Sequence, residues 1–454
     1  MRKRYPIEIA NNDQLVVYCP PAVLTNHTIK KIVFGSKIVE ANFLPHPDKE
    51  DRIVISKKIK DALYFPDFQI PLHLFIENQS LIIGPLIGIF TAGFTPFPLK
   101  PIGERSSFFS KLLSVNRSVG AIPFVFGEQH IDWEQGLIKG SFYHGNSWKV
   151  QLVPFPNVIY DRLPNRKSER NPLLKNVKDR LQKDYLIPWY NPGFFNKLEI
   201  TEKLQQEGTV EKYLPETHPF TSFSSIETML AEYGHVYVKP INGSLGIGVH
   251  QILYDKLQND YYCRFQDSEG INRLRKFSSL EGLFKNVFSN KALDKMLVQQ
   301  GIHLLKIENR PVDFRVHTNK DDHGEWYVTA IAAKIAGPGS VTTHIRNGGE
   351  IKTLKEIFSV EECRLNSERL SESALLLSKA LEKNIDGIIG EIGFDLGIDP
   401  QGNIWFFEAN SKPGRSIFTH PELKEFDFLT RKLSIAFGIF LTEQSILNPE
   451  EIFK

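Results

Sequence analysis

Between Leu15 and Leu74 the chain alternates short β-branched and aromatic runs (LVVYC, IKKIVFG, DRIVISKKI) with Pro, Asn and Asp punctuation. Such runs, bounded by turn formers, read as short strands, and they predict a small antiparallel β domain over residues 1–79. The texture changes at Ser80. LIIGPLIGIFTAG is an almost unbroken apolar run interrupted by Gly, the pattern of a strand covered on both faces in a parallel sheet. A helix at Phe108–Arg117, a strand in AIPFVFG and strands around a turn at His144–Asn146 complete an α/β unit over 80–190. The Pro- and aromatic-rich IPWYNPGFF then marks a joint. Beyond it, the spacing of Leu198, Ile200 and Leu204 predicts a helix, and Pro215–Thr217 breaks the pattern. A second helix at Ser225–Tyr233 leads into a strand at His235–Lys239. Further strands are expected at Lys295–Gln299, Phe314–Thr318, Trp326–Lys334, Glu391–Leu396 and Ile404–Glu408, with a helix at Ser371–Ile385. The fold class is therefore α/β and α+β multidomain, with one large α+β unit over 191–454.

Composition narrows the class without naming a chemistry. In 454 residues, 41% are hydrophobic and 24% charged, the balance of globular proteins and not of disordered, collagenous or coiled-coil chains. The net charge of +2 supplies no global field for nucleic acid. Locally, Asp161–Asp184 carries eight Lys or Arg against four acids, which reads either as a solvated helix and linker or as a surface facing an anion. Three scattered cysteines, Cys19, Cys263 and Cys363, form no CxxC pair and fit a reducing compartment. No apolar run approaches the ~20 residues of a membrane span. Basic Met1–Arg4 is followed by polar sequence where a signal peptide has its apolar core. A cytoplasmic location is expected.

Two segments carry recognisable chemistry. YVKPINGSLGIGVH is a strand ending in Lys239, followed by Gly243, Ser244, Gly246 and Gly248 and a return to β-like sequence. Closely spaced glycines let backbone amides approach an anion, and a lysine at the mouth adds charge, a combination that suits a polyphosphate. It is neither a P-loop nor a Rossmann fingerprint. An ordinary glycine-rich hairpin satisfies the same residues. GFDLGIDPQGNIWFFEANSKPGR reads as strand, turn at Pro400–Asn403, strand and loop, bringing Asp395 together with Glu408 and Asn410. Glu408 and Asn410 lie two apart and share a face. Carboxylates of this kind, completed by substrate phosphates, hold Mg²⁺. The alternative is a hairpin with solvated acids, although its Trp405–Phe407 run implies burial, where unpaired acids are costly.

Together the segments resemble the ATP-grasp superfamily over residues 195–454, and the hairpin is especially similar to the motif of its ligase branch. With IIGPLIGIFTAG and VPFPNVIYDRLPNRKSE, the whole chain resembles the YheC/YheD group associated with bacterial endospore coats. The resemblance implies an ATP-grasp fold preceded by an α/β pre-ATP-grasp domain and a small N-terminal β domain. It makes Lys239 and Lys197 the phosphate-contacting lysines, although Asn196 stands before Lys197 where relatives commonly have an acid. It makes VQQGI the adenine hinge, with Gln299, Gln300 and Ile302, Gln299 replacing the usual acid. Gly243, Ser244, Gly246 and Gly248 become the loop over the phosphates, and Asp395, Glu408 and Asn410 the ligands of Mg²⁺ or Mn²⁺.

Arg315 and Lys334 fall where relatives use cations around the γ-phosphate and acyl phosphate, and Arg346, ahead of two glycines in THIRNGGE, suits the grip on a substrate carboxylate. For Arg315 a plain cross-strand salt bridge is the competing reading. The implied activity is an ATP-dependent carboxylate–amine ligase acting on small-molecule or peptide carboxylates and amines, linked to the endospore coat and its proteins. The alternative is a nucleotide-binding coat or assembly component without turnover. No HExxH spacing, GxSxG elbow or cysteine nucleophile motif suggests another chemistry.

Overall fold

The computed structural model describes residues 3–25, 28–243, 246–289 and 291–453, with the side chain of Arg346 outside that set. Strands among the described residues form five sheets. In the first, Ile7–Ala10 runs parallel to Ile53–Ser56, which pairs antiparallel with Val16–Cys19, itself parallel to Asn42–Pro45. The second joins Lys37–Glu40, Lys31–Phe34, Ser80–Gly84 and His73–Glu77, with Lys31–Phe34 parallel to Ser80–Gly84. The N-terminal strands are thus mixed and not purely antiparallel. Alternation along a strand sets its buried face but does not choose its partner.

LIIGPLIGIFTAG is likewise two strands and not one. Ser80–Gly84 belongs to the N-terminal sheet, whereas Leu86–Phe90 lies at the centre of the α/β sheet, parallel to both Ile122–Phe126 and Val158–Asp161. Pro85 sits between them, where a residue without an N–H cannot continue a ladder. Leu86–Phe90 is buried throughout, as its apolar run predicts. One core cluster extends from Ile7 to Trp189, so residues 1–79 and 80–190 share an interior.

Helix Ser106–Leu113 covers one face of the α/β sheet together with a helix that the sequence pattern did not reveal, Lys424–Leu447. Ile435, Phe437 and Ile439 of that helix pack with Ile87, Ile89 and Val158. Gly438 allows the approach, since a Cβ there would lie 2.7 Å from Ile87 Cδ1. The same helix packs on Arg310–Lys320, and Lys320 Nζ lies 5.4 Å above the Phe437 ring. It therefore ties the end of the chain to both the α/β sheet and the C-terminal unit.

That unit has two lobes. The smaller is an antiparallel sheet in the order Thr217–Pro219, Met296–Gln300, His235–Pro240, His250–Asp255, Asp260–Gln266, Asn272–Phe277. Helices Phe223–Tyr233 and Leu280–Val287 back it, burying Ile226, Leu230, Leu283 and Val298. The larger lobe orders Glu350–Lys352, Trp326–Ile335, Arg310–Lys320, Glu391–Ile398 and Ile404–Asn410. Helix Val360–Asn384 covers it through Leu370, Leu377 and Leu381. It begins earlier than the predicted Ser371 because its first turns are largely exposed and carry no apolar stripe. A capping box between Ser359 and Glu362 sets its start instead.

Candidate functional site

The two lobes face each other across a cavity of about 920 Å³. Its floor follows from strand register. Asp313 and Arg315, two apart on the central strand, share a face. Asp313 stands opposite Lys334, Arg315 opposite Asp395, Asp395 opposite Glu408, and Gly393 opposite Asn410. Arg315 grips Asp395 through two parallel hydrogen bonds, Nε to Oδ1 and Nη2 to Oδ2, both 2.9 Å. Lys334 Nζ bridges Asp395 Oδ1 at 2.7 Å and Asp313 Oδ1 at 2.9 Å. Thr343 Oγ1 donates to Asp313 Oδ2 at 2.5 Å. Lys197 Nζ lies 3.1 Å from Glu408 Oε2. The hairpin acids are therefore paired and not solvated. Arg315 makes the cross-strand salt bridge held open above, and makes it inside the cleft.

These pairings set the charges. Burial alone would raise the Asp395 carboxyl, but the Arg315 and Lys334 charges outweigh it and hold it well below the usual carboxylate range. For Asp313 burial prevails, and its carboxyl is raised despite Lys334. Lys334 is raised because Asp313 and Asp395 overcome the burial that opposes its charge.

The roof is the glycine segment. Strand His235–Pro240 presents Lys239, and Gly243 N–H closes a turn on the Pro240 carbonyl at 3.2 Å. Gly246 and Gly248 take φ of +72° and +75°, which side chains with a Cβ rarely adopt. A Cβ at Gly246 would also lie 2.8 Å from Thr342 Oγ1, so this turn rests directly against the segment lining the opposite wall. Lys239 Nζ donates to Gln299 Oε1 at 2.7 Å, and Gln299 Nε2 donates to Thr217 Oγ1 at 2.9 Å. Burial, then the nearby Lys197 charge, pushes Lys239 down to about 7.

The structure thus brings Lys197, Lys239, Gly243, Gly246, Gln299, Gln300, Ile302, Arg315, Lys334, Asp395, Glu408 and Asn410 to one cavity. Gly248 stands in the same turn, its Cβ position 3.0 Å from the Pro240 ring. Ser244 lies outside the described residues. Arg346 belongs by its backbone to the short turn Ile345–Asn347, beside the cleft-lining Ile345, and its side chain is not described. In the expected hinge, Gln299 spends its carboxamide on Lys239 and Thr217, while the Gln300 N–H is committed to Glu216 O at 2.8 Å. Asn196, unexplained in the sequence, is the N-cap of helix Lys197–Gln205, accepting from Leu198 N at 3.0 Å. Thr343 was not foreseen, since only the tertiary fold brings it to Asp313. Asp313, two residues before Arg315, is likewise set between Lys334 and Thr343 only by the tertiary fold.

Among the described residues no cluster of three or more His, Cys, Asp or Glu forms a metal cage. The donor set at the hairpin is two carboxylates and the Asn410 carboxamide on adjoining register positions. By composition that sparse oxygen set is of the kind Mg²⁺ accepts, with waters and substrate phosphates as its other ligands. Here Asp395 Oδ1 and Oδ2 are bonded by Arg315 and Lys334, and Glu408 Oε2 by Lys197, so a metal would share or displace those partners.

The lobes, the roofing turn and the hairpin floor define an ATP-grasp protein. Residues 186–441 match the family described as YheC/D like ATP-grasp, and the chain belongs to that family. Along its whole length it is similar to the endospore coat-associated protein YheD of Bacillus subtilis (strain 168), at 39% identity over 460 residues and 99% of each chain. Endospore coat-associated protein YheC of the same organism is 24% identical over 297 residues, covering 63% of this chain and 80% of that one. Among solved structures, the D-alanine-D-alanine ligase from Coxiella burnetii aligns with 81% of this chain and 96% of its own, at 11% identity and a TM-score of 0.45. No helix among the described residues is long and apolar enough to cross a membrane.

Proposed function

We propose that this protein is an ATP- and Mg²⁺-dependent ligase that activates a carboxylate as an acyl phosphate for attack by an amine, in a role linked to the endospore coat. The observation that carries the reading is the continuous charged row Lys334, Asp313, Arg315, Asp395, Glu408, Lys197 facing Lys239 and the glycine turn across one cavity. Structural ion pairs suffice to hold a sheet together, but a purely structural row does not need a buried lysine from another lobe lining the same cavity.

In this reading Lys239 and the amides of the glycine turn hold the ATP phosphates. Arg315, fixed by its bidentate bond to Asp395, presents a pre-oriented cation to the equatorial oxygens of the transferring phosphoryl group. Asp395, Glu408 and Asn410 would hold Mg²⁺, which when bound neutralises phosphate charge. Phosphoryl transfer forms a bond between a carboxylate oxygen and γ-phosphorus and breaks the β–γ bridge, releasing ADP. The amine nitrogen then bonds to the acyl carbon, phosphate leaves with the C–O bonding pair, and the amine gives up a proton. In the same reading Lys334, held between two carboxylates, steadies the departing phosphate. No covalent enzyme intermediate is required. The coat association is carried over from the names of the similar Bacillus proteins, and coat proteins are proposed as partners on the same ground.

The decisive assay is release of ADP and phosphate with Mg²⁺ and ATP across a panel of carboxylates and amines. Release that requires both co-substrates supports ligation. Nucleotide binding with no turnover across a broad panel would return the protein to a coat scaffold.

A further inference from the structure

Beside the main cleft lies a second cavity of about 240 Å³, its polar lining made by Arg105, Arg162, Lys412 and Arg415. It shares Pro164, Phe194, Lys412, Gly414 and Arg415 with the cleft, so the two adjoin. Three of its cations have carboxylate partners. Lys412 pairs with Asp161 at 2.6 Å, while Arg162 and Arg415 divide the oxygens of Glu391 at 3.3 and 3.1 Å. Arg105 is the exception. It donates to Thr91 Oγ1 at 2.8 Å, to Arg162 O at 3.5 Å and to Ala92 O, all neutral acceptors, and no ion pair engages it among the described residues.

The paired cations have further acids in reach, Glu169 at 3.8 Å from Lys412 and Asp427 at 3.4 Å from Arg415, so the missing counter-charge is local to Arg105. Burial, then repulsion from Arg162, pushes Arg105 down to about 10. Arg415, whose side chain is only 9% exposed, has its Nε buried without a hydrogen-bond partner. A cation held in low dielectric without a counter-charge is unfavourable, and an anion entering the cavity would relieve it.

We propose that this cavity receives a carboxylate arm of an acidic substrate whose reacting group lies in the adjoining cleft, with Arg105 as its ion partner. The substrate class rests on the ligase reading above. One unpaired guanidinium calls for one negative charge, which a carboxylate supplies and a polyphosphate exceeds. The planar fork of Arg matches a carboxylate geometrically. The volume equals roughly eight waters at about 30 Å³ each, room for a carboxyl group with its methylenes. Phe108, Phe109, Leu163 and Pro413 give those methylenes apolar walls.

The test is calorimetric titration and thermal shift of the full chain with three probes: glutarate, butyrate and inorganic phosphate. Glutarate is expected to bind at least about tenfold tighter than butyrate, and Arg105→Gln to weaken it by about tenfold or more. Without ligand, Arg105→Gln is expected to melt no earlier than the parent, because it removes an uncompensated charge. Should it melt early, Arg105→Lys decides the matter. It keeps the charge and loses the fork, and must weaken glutarate by about threefold or more. Equal affinity for glutarate and butyrate, glutarate binding unchanged in both variants, or phosphate binding more tightly than glutarate would each overturn the proposal. None of these binding and melting readouts needs turnover. Glutarate held through Arg105 by a protein that never turns over retires the ligase reading alone; turnover indifferent to Arg105 retires the pocket alone.

Discussion

Lys239 offers the sharpest test, because its position in the fold predicts a proton as well as a contact. Its ammonium is pushed down to about 7 by burial and by Lys197, so at pH 8 only about a tenth of the molecules carry the charge, and at pH 6 about nine tenths do. A triphosphate at the glycine turn favours the charged form. Binding at pH 8 should therefore take up about 0.9 proton, and at pH 6 about 0.1. The sign follows: affinity for Mg²⁺·ATP strengthens as pH falls through 7. Since the competent fraction limits apparent affinity, the change from pH 8 to pH 6 is about tenfold, or ~1.4 kcal/mol.

Titration calorimetry in buffers of different ionisation enthalpy measures the proton directly. Lys239→Met should bind more weakly at every pH and lose the uptake. If the parent takes up no proton at pH 8, Lys239 is charged before the nucleotide arrives. If Lys239→Met retains the same uptake, another group is titrating. Either result refutes the reasoning.

Three further outcomes are expected. Glu408→Gln removes one hairpin carboxylate and the partner of Lys197, and should weaken Mg²⁺-dependent nucleotide binding by about 10- to 100-fold; equilibrium binding at graded Mg²⁺ checks this, and an unchanged Mg²⁺ dependence removes the metal assignment. Arg315→Lys keeps the charge but loses the double hydrogen bond to Asp395. Turnover should drop about 10²-fold or more with nucleotide affinity little altered, and steady-state kinetics showing an unchanged kcat would sink the role given to Arg315. Asn191 is fully buried with φ of +54°, and its carboxamide bonds Glu391 O at 2.8 Å, Ser411 O at 2.6 Å and Gly390 N at 2.8 Å. Asn191→Ala should cost about 2–4 kcal/mol in urea unfolding, and an unmoved midpoint would show that the junction is not held there.

What could be read from the sequence was what local geometry decides. A hairpin with Glu408 and Asn410 two apart on one strand and Asp395 on the other needs only the period of a strand and a Pro-Gln-Gly-Asn turn, so the three could be grouped in advance. Lys239 and its glycines were visible for the same reason, being contiguous. What stayed hidden depends on partners far along the chain. Arg105 reads as one more basic residue until Thr91, Ala92 and Arg162 close around it without an acid. Helix Lys424–Leu447 is buried along much of its length by two different sheets, so its apolar residues are not confined to one stripe. Gln299 read as a replaced hinge acid until the register of Met296–Gln300 against His235–Pro240 and Thr217–Pro219 set it between Lys239 and Thr217.

Glu391 shows how the N-terminal α/β unit enters the site. It is fully buried, accepts from Tyr160 Oη, and pairs with Arg162 and Arg415. It also begins the strand that carries Asp395, four residues on and on the same face, roughly 13 Å along at the rise of a strand. One strand therefore anchors the arginines of the smaller cavity at one end and the phosphate-facing pair Arg315–Asp395 at the other. Because Tyr160 and Arg162 of the α/β sheet hold Glu391, movement of that sheet together with this strand carries both ends, which gives the N-terminal unit a physical part in aligning substrate with nucleotide. On the proposed reading, a substrate reaching from one end to the other is longer than a single amino acid. That span favours a peptide-like acid over a free one as the carboxylate to be activated.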